Sequence, residues 1–282
     1  MKLFIKVDME GATGVVHPDQ LYPGTPEFGF GQRMMMHDLC AVLDGALSAA
    51  GTQAVVYDMH GEGRNIDTER LPAGVSVISG RPTFEDDFAF GLDESHDALF
   101  MVGAHARLGA PAAMLARTYD DGIASIRIND MLVGEIGCEA ALAGEFGVPL
   151  AFVSSDSAGV QETLDLIGEE IETVAVKRAV RATAGVCLGC AQTGEMLRAA
   201  AARAVQKAGE LPPLLFEAPT RIEVAFHSAQ GAASMESSPL AKRTGPNTLE
   251  FVGDRFLSAY RNFVLVHERR TRVAASRQRA HA

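Results

Sequence analysis

Five residues able to bind a metal, Asp8, Glu10, His60, His105 and Glu135, stand in this sequence beside short apolar runs rather than inside them. Two imidazoles and three carboxylates make a mixed nitrogen and oxygen donor set. Such a set suits zinc, and also accommodates manganese or iron. Three carboxylates neutralise much of the charge of two divalent ions. Two ions ~3.5–4 Å apart would polarise a carbonyl and activate a shared water, with a carboxylate such as Asp8 as the natural bridge. Asp8 and Glu10 are two apart, so on an extended chain their side chains point to one side. Glu135 is expected at the start of a helix, near Gly134 and Gly137, where small residues let the backbone approach a site. Taken singly, each residue has a structural reading as a cap or a packed side chain.

The elements that must position them alternate. Residues 2–7, 54–57, 75–79, 98–102, 150–154 and 173–176 read as apolar strands. Residues 34–50 read as an amphipathic helix stopped by Gly51, and 135–146 as another. Asn129-Asp130 between 123–128 and 131–133 marks a hairpin. This order predicts an α/β fold with a mostly parallel sheet covered on both faces. Ligands of such sheets sit beyond the carboxyl ends of the strands, where Asp8/Glu10, Asp58/His60 and His105 fall. After about residue 190 the pattern changes. A helix over 195–208 capped by Thr193, strands over 220–226 and 248–252 and a helix over 254–267 predict a second, smaller α+β layer. The Arg-rich end is expected to be a solvated tail.

Composition excludes several classes. With 25 basic and 36 acidic residues, the net charge of −11 lacks the basic footprint of a nucleic-acid binder. No apolar run approaches the ~20 residues of a membrane span, and Lys6 and Asp8 cut the first run too early for a signal peptide. A cytoplasmic location is the expectation. Cys187 and Cys190 form a lone C-x-x-C, expected to sit reduced at a helix start, because zinc ribbons need a second pair. No strand leads into a G-x-G-x-x-G or a P-loop, which argues against a nucleotide-binding module.

VDMEG at 7–11, DMH at 58–60, GAHAR at 103–107 and IND-x-x-VGE-x-G at 128–137 resemble, in order, the DppA-type zinc D-aminopeptidase family. SSD at 154–156 and TVAVKRA at 173–179 look similar too. The resemblance implies two zinc ions per chain, with manganese tolerated. It implies Asp8 as bridge, Glu10 and His105 on one ion, and His60 and Glu135 on the other. It implies a Rossmann-like domain followed by an α+β (ferredoxin-like) domain; with the residue pattern, the expected bounds are 1–190 and 191–270, with a flexible tail over 271–282. The implied partners are small peptides or amides with an N-terminal D-residue, and further copies of the chain in a ring-shaped homo-oligomer, a decamer. An acidic inner surface would attract a substrate ammonium.

One departure stands out. The family carries a catalytic histidine eleven residues after the metal-binding one, and here that position is Ala116. Alanine cannot shuttle a proton. His17, in the loop after DMEG, and Arg117, as an oxyanion stabiliser, are the candidate replacements. The expectation is therefore a metal-dependent aminopeptidase or amidohydrolase of altered rate or specificity. The alternative is a metal-binding homologue with lost or altered catalysis.

Overall fold

The structure is a computed structural model that describes residues 1–81, 89–236 and 238–280, with side chains through Glu268. In chain order the elements are β1 (Lys2–Val7), α1 (Phe28–Ala46), β2 (Gln53–Asp58), β3 (Val75–Ile78), β4 (Ala98–Val102), β5 (Ile123–Ile128), β6 (Met131–Val133) and α2 (Glu135–Gly144). There follow β7 (Leu150–Asp156), α3 (Ser157–Ile167), β8 (Glu172–Arg181), β9 (Ala184–Cys187), α4 (Cys190–Lys207), β10 (Thr220–Phe226), α5 (Ala229–Glu236), β11 (Lys242–Gly245), β12 (Thr248–Gly253) and α6 (Phe256–Ala280).

A seven-stranded sheet runs β3-β2-β1-β4-β7-β8-β9. Every pairing in it is parallel except β8 with β9. The order reverses between β1 and β4, which is the topological switch point where open α/β sheets bind ligands. Register sharpens this placement. Val7 at the end of β1 lies opposite Asp58 at the end of β2 and Val102 at the end of β4. The three strands therefore release their loops at one level, with β1 in the middle.

Strands buried on both faces read as continuous apolar runs, and Leu3, Phe4, Ile5 and Val7 are fully buried. One core packs Leu3, Ile5 and Val7 with Met35, Leu39 and Val42 of α1 and Leu197, Ala201 and Val205 of α4. Gly45 of α1 permits close approach of α4: a Cβ on it would stand 2.0 Å from the Arg198 carbonyl oxygen.

A second sheet, all antiparallel, runs β11-β12-β10-β5-β6. Helix α6 packs on β10 and β12, and Phe226, Phe251, Phe256, Tyr260 and Phe263 are buried in this unit. The hairpin β5–β6 belongs to it, so the second unit combines Thr118–Gly134 with the chain from Leu215 onward. The expected division at residue 190 is corrected twice. Helix α4 belongs to the first unit, because its apolar stripe packs on α1, and the hairpin belongs to the second, because β5 pairs with β10. Backbone of the expected tail continues α6 to Ala280, and residues 281–282 lie outside the described ones.

Local expectations moved at the edges. Helix α1 ends at Ala46, ahead of Gly51. Gly189 caps α4, and Thr193 lies within it, meeting the Cys190 carbonyl at 3.3 Å and the His37 ring at 3.2 Å. Cys187 closes β9 and Cys190 opens α4, both as free thiols, as expected.

Candidate metal centre

Asp8 follows β1, His60 follows β2 by two residues, His105 follows β4 by three, and Glu135 opens α2. All lie in the first unit. The chain does not stay extended past Asp8. It turns, with the Ala12 N–H on the Met9 carbonyl at 3.1 Å, and the turn still brings Asp8 and Glu10 together. His60 Nδ1 lies 2.9 Å from Asp8 Oδ1 and 3.0 Å from Glu10 Oε2. His105 Nε2 lies 3.5 Å from Asp8 Oδ2 and 3.4 Å from Glu135 Oε1. The two oxygens of Asp8 thus face two different imidazoles, as the strand order β2-β1-β4 dictates.

The side-chain contacts fall into two groups. Glu10 goes with His60, and Glu135 with His105. The ligating atoms of Asp8, Glu10 and His60 all lie within 4.8 Å of one another.

The histidines are prepared for a metal on one nitrogen each. His60 Nε2 meets the Leu21 carbonyl at 2.8 Å, and His105 Nδ1 meets the Ala106 carbonyl at 3.1 Å. A carbonyl can only accept, so those nitrogens carry the hydrogens, and the opposite nitrogens face the carboxylates. Such outer hydrogen bonds set tautomer and orientation in metal sites. Asp58 completes the support of His60. It accepts from the His60 N–H at 3.2 Å and the Asn65 N–H at 2.6 Å, while the Asn65 amide donates to the His60 carbonyl at 2.8 Å.

Charge in the cluster is crowded and buried. Burial and the Glu10 carboxylate push the Asp8 carboxyl up to about 6. Burial acts on Glu10 as well, yet the His60 and His105 cations hold it well below its usual range. Burial lowers both histidines, but the facing carboxylates win and raise His60 to about 11 and His105 to about 10. A set of three carboxylates, two of them buried, that draws protons onto its own imidazoles is one that divalent cations neutralise. Asp8, Glu10 and His60 fit a divalent metal ion.

Arg117 joins the cluster, with its Nη1 at 3.1 Å from Glu10 Oε1 and its side chain 31% exposed. Ala116 precedes it in an irregular segment where Ala112 and Leu115 take left-handed backbone, each at φ 51°. Leu115 is tied to the Ala182 carbonyl at 3.0 Å, and Met114 to Asp156 Oδ2 at 2.7 Å. His17 is not brought to the cluster by any hydrogen bond or ion pair among the described residues. It caps a 3-10 turn over Pro18–Gln20, accepting from the Asp19 N–H at 3.2 Å, and is exposed.

Close backbone approach occurs at Gly11 and Gly103. The Gly11 N–H meets the Gly103 carbonyl at 2.8 Å. A Cβ on Gly11 would stand 1.8 Å from the Ala104 oxygen, and one on Gly103, at φ +68°, 2.3 Å from the Asp8 oxygen. Gly103→Ala is expected to destabilise the fold by about 1–3 kcal/mol and to lower zinc affinity, because backbone must shift between two ligand loops. Thermal melts with and without zinc measure both.

Sequence reasoning missed the scaffold behind the ligands. Ser154 accepts from the Gly103 N–H at 3.0 Å, and Ser155 donates to the Ala104 carbonyl at 2.6 Å. Asp156 caps α3 and holds Met114. The SSD segment was the available signal, and its work is to brace the loop that carries His105.

The model of the M55 peptidase family, described as D-aminopeptidase, matches residues 1–265. A D-aminopeptidase of Bacillus subtilis (strain 168) is 30% identical over 275 residues, covering 95% of this chain and 97% of the relative. The solved structure of the Zn-dependent D-aminopeptidase DppA from Bacillus subtilis, a self-compartmentalizing protease, superposes with a TM-score of 0.90 at 28% identity. It covers 96% of this chain and 98% of that one. The chain belongs to the M55 family of D-aminopeptidases.

Proposed function

We propose that this chain is a dinuclear zinc aminopeptidase that hydrolyses short peptides or aminoacyl amides bearing an N-terminal D-residue. The observation that carries the reading is Asp8, whose two oxygens face His60 and His105 separately. One ion would be held by Asp8, Glu10 and His60, and the other by Asp8, His105 and Glu135. Bound there, two divalent ions polarise the scissile carbonyl and lower the pKa of water. Manganese fits the same donors.

The chain's own residues supply the rest. Arg117, paired with Glu10 and partly exposed, is placed to stabilise negative charge developing on the carbonyl oxygen. The chain's net charge of −11 favours approach of a substrate ammonium. His17, the other candidate for the proton lost with Ala116, has its Nδ1 engaged by Asp19. His17→Ala is expected to leave turnover and metal content unchanged. A self-compartmentalizing relative supports a ring-shaped homo-oligomer, a decamer in our reading. Among the described residues no helix is long and apolar enough to cross a membrane. Free cysteines fit a cytoplasmic setting.

A second reading, a metal-binding homologue with lost or altered catalysis, draws on Ala116 alone. Turnover of a panel of D- and L-aminoacyl amides, esters and dipeptides by protein of measured metal content separates the two. Chelator-sensitive cleavage of D-substrates supports the peptidase. Full metal content with no cleavage of any substrate supports the second reading.

A further inference from the structure

Lys177 lies on β8, separated from β1 by β4 and β7, and is 2% exposed. Its ammonium reaches the loop that leaves β1. It donates to the carbonyls of Glu10 at 2.6 Å, Ala12 at 2.9 Å and Val15. An ammonium has three donors and no acceptor, so its hydrogen-bonding capacity is used in full on one stretch of backbone. The same stretch is tied from the other side. Asp38 of α1, itself fully buried, accepts from the Thr13 N–H at 2.8 Å and the Thr13 hydroxyl at 2.7 Å. Residues 10–15 are therefore held at four successive points while they carry Glu10 into the cluster.

Burying a cation without a carboxylate among its hydrogen-bond partners is costly. The Ala12 carbonyl also accepts from the Val15 N–H at 3.2 Å, but the converging carbonyls of Glu10 and Val15 would lose their donor to an apolar side chain, which explains why the charge is there. The result of the contacts is geometric: they fix the backbone of a ligand and the turn after it.

We infer that Lys177 is a positioning residue of the metal centre: by gathering the carbonyls of Glu10, Ala12 and Val15 it holds the Glu10 carboxylate in place for the ion shared with Asp8 and His60. This rests on the metal-centre reading above. Outer partners that orient metal ligands typically govern ~10–100-fold in affinity.

The test uses cobalt(II) as the probe, titrated into metal-free full-length protein and followed by its visible absorption. Lys177→Met removes the donors and keeps the stem. It is expected to weaken cobalt binding by about 10–100-fold and to change the band shape. The rise in melting temperature on adding zinc should shrink in step. Lys207→Met serves as control, since Lys207 pairs with Glu172 on β8 and, among the described residues, makes no hydrogen bond or ion pair to the loop. It should give the parent's affinity and spectrum. Should Lys177→Met not fold, Lys177→Gln, which keeps two amide donors, is expected to show the same changes in smaller measure. A folded Lys177 variant with the parent's cobalt affinity and spectrum overturns the inference. So does an equal fall in melting temperature with and without zinc, which marks a purely structural lysine. A parent that takes up no cobalt overturns the metal-centre reading instead.

Discussion

Asp8→Ala is expected to remove both metal ions from the chain and to abolish turnover. The expectation follows from the two-sided contacts of Asp8, one oxygen toward His60 and the other toward His105. Glu10→Ala and Glu135→Ala should each remove only the ion on their own side. Losing both ions costs several kcal/mol of transition-state stabilisation, on the order of 10³-fold in rate or more. The loss should not come from unfolding. The Asp8 carboxyl is pushed up to about 6 by burial and by Glu10. Its folded value thus exceeds its unfolded one, so the metal-free fold loses stability as pH rises through that window. Alanine removes this cost together with the contacts to His60, His105 and the Met9 N–H, and the metal-free variant should remain folded at neutral pH. Metal content by elemental analysis, with the melts, checks both statements. Retention of both ions would remove the bridging role.

Ala116→His is expected to raise turnover by ~10²–10⁴-fold, the usual contribution of a positioned acid or base. Residue 116 adjoins Arg117, whose guanidinium touches Glu10 at 3.1 Å. The left-handed turn at Leu115 and the ties of Met114 and Leu115 fix the backbone on its other side. A histidine there enters a segment already shaped by its surroundings. The gain should appear in kcat with metal content unchanged. No gain would mean that the pocket has been remodelled beyond this one position, in line with the second reading of function.

How far the residues disclosed these features depends on range. Strands β1, β4, β5, β6 and β10 have the bounds their local patterns predict, because alternation and turn signals are short-range physics. Asp8, Glu10, His60 and His105 were legible as candidates because they fall at strand ends, a topological rule rather than a contact, and the structure brings Glu135 beside His105. What failed was long-range or silent. Pairing of β5 with β10 joins segments about a hundred residues apart, and nothing local announces it. Helices α3 and α5, and strands β9 and β11, are too short or too polar to stand out. That Asp8 faces His60 on one side and His105 on the other follows from β2 and β4 flanking β1. Lys177 reads in TVAVKRA like any lysine on a solvated strand face, and only the fold shows it buried beneath the ligand loop.

The most direct measurement is a zinc titration of metal-free protein, read as hydrolysis of a D-aminoacyl amide against zinc bound per chain. The account predicts that activity rises to its limit at two zinc ions per chain and that the L-enantiomer is a poorer substrate throughout. Full activity at one ion per chain, or turnover that persists without metal, would contradict it.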